Sequence, residues 1–377
     1  MTKQKENISP RQFAILVALF TIGSAILFLP ATLTGIAEQD GWISALLATT
    51  IGIGFVLFFA KVGTTLKNMT FIEACQYALG KKIGGILAAF YLTFPFLLCT
   101  FLLWDIGDFM VTQIIVETPI QAVFILFILT IVYTVRSGIE SVARTAEIFV
   151  PWVYGLFFII IIFVIPSIQI TNLLPILENG IRPVLLGSYH MMSFPILELS
   201  LFLMVTKNIY DPSKIKSAFL NGFFRGTFVL FIVTMACIYV LGPDFTARNA
   251  FPVYILGKKV AIGEFLQRIE IVIAIMWFLS ILFKLAIAFY SLVLGTSQIL
   301  GLKDYRPLTL PYAVLLVIST IIMIPNSIFL TEFDQKAQGP YIFFICVIIP
   351  LIVFIALMRK ERLNKKDKKE VDQHTST

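Results

Sequence analysis

A chain of 377 residues that is 58% hydrophobic and only 14% charged stands well outside the roughly 25% charge of soluble domains. With a mean hydropathy of +0.92 it reads as a polytopic membrane protein, which excludes the soluble enzyme and nucleic-acid-binding classes. The net charge of +7 collects in short loops and in the tail Arg359 to Lys369, where membrane topology accounts for it.

A spanning helix needs roughly 20 apolar residues. Ten stretches read as spans: 12–37, 42–65, 84–112, 119–135, 145–165, 182–206, 214–241, 265–298, 308–326 and 340–358. The third, seventh and eighth exceed the minimum and are expected to tilt. The chain is therefore expected to be a single membrane domain over 1–377, with a cytoplasmic N-tail 1–11, a ten-span transporter-like core 12–358 and a basic cytoplasmic tail 359–377. The first apolar run is too long for a signal-peptide h-region, and many spans follow it, so it is read as an uncleaved first helix.

That first span carries Gly23-Ser24 in its middle and Pro30 further on. A helix break inside a bilayer frees backbone groups that must bind something or be covered by protein. After span two, Thr70 and Glu73 form a capping-box pattern ahead of a short amphipathic helix that stops at Gly80 and lies on the inner membrane face. Asp105 and Asp108 share a face near the outer end of span three, where they line an outer vestibule or control water entry. Span six is broken at Ser193-Phe194-Pro195, the position matching the first break, and Glu198 lies one turn further on. Span seven carries Arg225 one turn after Asn221, with a structural role expected for the arginine. The connector Gly242 to Gly263 reads as a short re-entrant or capping element. Arg268 and Glu270 open span eight, and Lys284 sits midway along it on the stripe Ser280, Lys284, Ala288, Ser291.

Lys and Arg crowd one set of loops, from Lys3, Lys5 and Arg11 through Lys61, Lys67, Lys81 and Lys82 to the basic tail. The other set holds only Arg182, Arg248, Lys258, Lys259 and Lys336. The asymmetry places both termini in the cytoplasm. Five spans precede the second broken one, so the two halves start from opposite sides and form a five-plus-five inverted repeat with broken helices one and six. Paired breaks of this kind point to the binding site of a transporter-like fold.

An ionisable side chain near the bilayer centre costs roughly 2.5–3.5 kcal/mol, so each needs a partner or a wet cavity. Glu198 and Lys284 are the sharpest pair. They read either as a structural ion pair between spans six and eight or as a substrate or proton-handling pair, the lysine standing where a coupling cation would sit. Arg225 and Asp105 are the other ion-pair or proton-relay candidates. At the breaks, the restarted helix after Gly23, Ser24 and Ala25 offers unpaired N–H groups and a positive dipole end suited to a carboxylate. The unwound carbonyls about Ser193, Phe194 and Pro195 suit an ammonium group. Together they match a small zwitterion such as an α-amino acid, with Tyr91, Phe94, Phe194 and Ser280 as the expected lining. Cys75, Cys99, Cys237 and Cys346 lie far apart in apolar spans and read as small buried hydrophobes, and His190 as a structural residue. No metal, cofactor or nucleophile constellation is found, so no enzyme is expected.

Several segments together resemble the B subunit of spore germinant receptors, the endospore germination permease family within the amino acid–polyamine–organocation superfamily. They are Ile8-Ser-Pro-Arg-Gln12 with Phe20 to Pro30, Phe71 to Lys81, Phe194-Pro-Ile-Leu-Glu198, and the Lys-rich segment after Asp211-Pro212. The resemblance implies a ten-span all-α fold of the LeuT-like type. It also implies a place in the spore inner membrane beside A-type and C-type subunits, and a small germinant, usually an amino acid, sensed at Gly23, Ser24, Ala25, Phe194 and Pro195. The alternative on the same fold is a proton-coupled amino-acid transporter.

Overall fold

The computed structural model describes residues 6–259 and 270–375. Arg268 and the end of the long connector, 260–263, lie outside the described residues. Among the described residues the fold is built of helices with no β-strand, and one isolated parallel bridge joins Ile8 to Ile209.

Helix α1 (Pro10–Ile22) starts where its sequence says it should. Ser9 Oγ accepts from the Gln12 amide and the Gln12 side chain returns to the Ser9 amide, with Pro10 in the first turn. It ends at Gly23, whose N–H closes the last turn onto the Leu19 carbonyl. Helix α2 (Ala25–Ala37) restarts at once and carries Pro30 inside. A single 3₁₀ turn, Glu38–Asp40, leads into α3 (Gly41–Leu66). Short α4 (Phe71–Leu79) has both halves of the expected capping box: Thr70 Oγ1 accepts from the Glu73 amide at 3.2 Å, and the Glu73 carboxylate accepts from the Thr70 amide at 2.7 Å. Thr70 Oγ1 also donates to Gln298 at 2.7 Å. A Thr70→Ala change therefore removes a cap and an interhelical bond. It is expected to cost about 1–2 kcal/mol, measured as faster amide exchange through α4 and a lower melting temperature in detergent.

Helices α5 (Lys81–Phe109), α6 (Ile120–Arg136) and α7 (Ile139–Val164) complete the first half. The second half opens with α8 (Ile181–Met191). Then come α9 (Ile215–Leu241), the two short connector helices α10 (Pro243–Arg248) and α11 (Pro252–Lys259), α12 (Glu270–Ile299), α13 (Thr309–Met323), α14 (Ser327–Phe333), α15 (Gly339–Phe343) and α16 (Ile349–Thr375). By length and composition, 8 helical runs can cross a membrane. One of these, Ala25–Leu66, holds both α2 and α3, and Pro10–Ile22 and Ile120–Arg136 are shorter apolar helices. Over their described residues all ten expected spans are thus built of helix, with each half beginning on a broken one.

The second break differs from expectation in form. After a π turn, Met192–Ile196, in which Phe194 is extended (φ −136°, ψ 110°), the chain restarts as a 3₁₀ helix over Leu197–Met204. Pro195 has no N–H to give to a continuing ladder. The tighter, slimmer 3₁₀ rod is buried along its whole length. All four cysteines are free and buried, as read from their spacing.

Candidate functional site

Both breaks converge on one ammonium group. Lys284 comes in from α12, and its Nζ lies 2.6 Å from Glu198 Oε2, with the lysine and glutamate side chains 0% and 1% exposed. The same Nζ donates to Ser24 Oγ at 3.3 Å and sits over the rings of Phe194 (4.5 Å) and Phe20 (5.2 Å). Two charges taken out of water are tolerated only when each is paired and further satisfied. For the ammonium, the carboxylate, one hydroxyl and two ring faces share that work, and they come from both broken spans, whereas the carboxylate leans on the lysine. Ser280, one turn before Lys284, donates to the Trp277 carbonyl at 2.9 Å and reaches the Gly23 carbonyl at 3.4 Å. It thereby ties α12 to the backbone of the first break.

A cavity of about 470 Å³ opens from this point toward the ends of α2 and α5. Ser24, Phe28, Ala31 and Thr32 supply one wall at helical spacing. Phe94, Phe101, Trp104, Asp105 and Asp108 of α5 supply another, with Phe194 and Glu198 at the base. The mouth is formed by Arg248 to Ala250, Ser327, Asp334 and Tyr341, so the connector caps the site as its Pro and Gly punctuation suggests. Four carboxylates face the space against Arg248 at the rim. His190 stands beside Asp334, Nδ1 to Oδ2 4.0 Å.

The opposite side is closed. Phe13, Phe20, Phe202 and Phe219 pack edge to face at 5.3–5.9 Å beneath the breaks. Beyond them Gln12 donates to Glu147 at 3.1 Å, Asn208 donates to the Glu6 carbonyl at 3.0 Å, and the Ile8 amide donates to the Asn208 carbonyl at 2.8 Å.

Of the residues picked out from sequence, Ser24, Phe94, Phe194, Glu198 and Asp105 stand together on the cavity wall. Gly23, Ala25, Ser193 and Pro195 form the breaks behind it, Ser193 donating to the Tyr189 carbonyl at 3.0 Å. Three placements need correction. Ser280 is not a lining residue: it is fully buried behind the first break, where its hydroxyl is taken up by the Trp277 and Gly23 carbonyls. Tyr91 is not a lining residue: its hydroxyl donates to the Ser200 carbonyl at 3.0 Å and its ring packs on Phe71, because α5 turns that position toward the 3₁₀ segment. Arg225 takes no part in a relay with Lys284, because its side chain is exposed on the outside of α9. The sequence reading missed Phe28, Trp104 and Tyr341. Phe28 was available from the i, i+4 spacing after Ser24.

Two broken helices meeting over a buried ion pair, with a cavity open to one side, define a permease-like membrane protein. The comparisons name the family. A model described as "Spore germination protein" matches residues 7–328, and the chain belongs to that family. It is 28% identical over 372 residues to spore germination protein KB of Bacillus subtilis (strain 168), covering 97% of this chain and 99% of that protein. It is 25% identical to spore germination protein YndE of the same organism, with 94% and 98% covered. Among solved structures, MhsT in complex with L-phenylalanine aligns with a TM-score of 0.68 at 13% identity, over 94% of this chain and 99% of that one. Mhp1, a nucleobase-cation-symport-1 family transporter, aligns with a TM-score of 0.66 at 14% identity, over 90% and 75%. The fold is thus LeuT-like, and the chain is a multi-pass integral membrane protein.

Proposed function

We propose that this chain is the germinant-sensing, permease-like subunit of a nutrient germinant receptor and binds a small zwitterion, an amino acid, at the paired breaks. One observation carries the reading: Ser24, Phe194 and Glu198 from both broken spans share the base of a cavity whose size suits a small molecule. The first turn of α2 presents helix N–H groups to a carboxylate, and Asp105 stands across the cavity for an ammonium. Germinant would act by binding one conformer better than another, without chemical conversion. In this reading both termini are cytoplasmic, the membrane is the spore inner membrane, and A-type and C-type subunits are the assembly partners.

The test is a screen of spores lacking this chain against single amino acids, sugars and nucleosides. Loss of the response to one amino acid is expected, with Ser24→Leu reproducing the loss at normal protein level. A Ser24→Leu strain that germinates normally would overturn the site. The LeuT-like fold with its buried carboxylate supports a second reading, a proton-coupled amino-acid transporter. Uptake of labelled amino acid by vesicles containing this chain alone would favour it.

A further inference from the structure

The outward face of α9 carries a polar seam that the cavity does not explain. Ser217, Asn221 and Arg225 recur at four-residue spacing, and all three are exposed. Arg225 lies ten residues into α9, about 15 Å along its axis at 1.5 Å per residue. That places it inside the apolar span, past the lysines Lys214 and Lys216 at the start of the helix. Charged side chains at this depth almost always face the bundle interior or a wet cavity; this one faces outward between exposed Phe224 and Phe228. Neither Arg225 nor Asn221 makes a hydrogen bond or ion pair among the described residues. On the neighbouring α7, the hydroxyl of Tyr154 is buried without a partner, and the phenol lies within electrostatic reach of Arg225. Beside it, Gly155 has open space where a side chain would stand, which lets another backbone come close.

We infer that the seam Asn221–Arg225 on α9, with the open Gly155 of α7 beside it, is the docking face for a transmembrane helix of a second polypeptide that carries an Asp or Glu within its span. An amide donor and one fixed cation on one exposed surface ask for a carboxylate. A second copy of this chain does not supply one from its cavity, since Asp105, Asp108, Glu198 and Asp334 all face that space. The inference is independent of what the cavity binds.

The test uses full-length protein in the membranes where it is naturally made, with Phe228→p-benzoyl-phenylalanine as photocrosslinker. The expected adduct maps to a membrane-embedded segment of another polypeptide containing Asp or Glu. Its yield should fall roughly tenfold in Arg225→Gln, the scale of one interhelical polar contact in a bilayer, and persist in Arg225→Lys. Arg225→Asp should recover it when the partner's carboxylate is exchanged for arginine. Adducts only with lipid, adducts with a second copy, or a yield indifferent to Arg225→Gln would overturn the inference. As a folding control, purified Arg225→Gln protein in detergent should melt no lower than wild type. A marked drop would mean that the arginine is paired within the chain, and the inference would fall.

Discussion

Replacing Lys284 by methionine, with Glu198 left in place, should cost about 3–5 kcal/mol of stability, the penalty for stranding one charge of a buried pair. The partner at 2.6 Å, both side chains out of solvent, is the reason. Glu198→Leu combined with Lys284→Met should recover most of that loss, because a well-packed apolar pair of similar volume replaces two desolvated ions at little or no net cost. Thermal unfolding in detergent of Lys284→Met, of Glu198→Leu alone and of the double variant gives the coupling directly. The double variant also separates the two readings of the pair. Spores carrying it in stable form should fail to respond to germinant if the ammonium organises the site. A normal response would make the pair purely architectural.

Gly23→Val should abolish the germinant response while the protein is still made. Gly23 sits at φ +20°, where a β-branched residue is strained. A Cβ there would lie 2.5 Å from Lys284 Cδ and 2.8 Å from the Phe20 carbonyl oxygen. The lysine has to move, and its ammonium leaves Ser24 and the Phe194 ring. A displacement of about an ångström in a pre-organised site is worth roughly a hundredfold in function, which a dose–response of germination against germinant concentration would record. Gly54→Val is the matched control. Gly54 is an exposed glycine on α3 with nothing within 4 Å of an added Cβ, so that variant should germinate as wild type does.

Much of this was legible in the chain itself, for reasons that differ from residue to residue. The spans follow from the length of apolar runs, and the two breaks from Gly23-Ser24 and Phe194-Pro195, where local backbone chemistry decides. Glu198 and Lys284 declared themselves because a charge in hydrocarbon needs a partner and few were on offer. What sequence could not supply was rotation. Helix α5 is apolar on nearly all sides around Tyr91, so a 3.6-residue period does not say which face looks inward, and on α9 the polar stripe through Arg225 is equally compatible with an inward or an outward face. Tyr91 therefore reads as a lining residue but faces the 3₁₀ segment, while Arg225, read as structural or as an ion-pair or relay candidate, faces outward. The cavity mouth was equally hidden, since Arg248, Ser327 and Asp334 reach it from segments far apart in the chain. Nor does any residue type announce that the restart after Pro195 runs as a 3₁₀ helix.

The bridge between Ile8 and Ile209 pins the strand of chain entering the first broken helix to the one leaving the second. It rests on two backbone bonds, Ile8 N–H to the Asn208 carbonyl at 2.8 Å and Tyr210 N–H to the Ile8 carbonyl at 3.2 Å. The two broken helices are thus the arms of a pair of tongs whose handles are clipped together. The Asn208 side chain adds a third bond, to the Glu6 carbonyl at 3.0 Å. With the handles held in register, any change in the angle between the two arms has to be taken up at the breaks themselves, beside the ion pair.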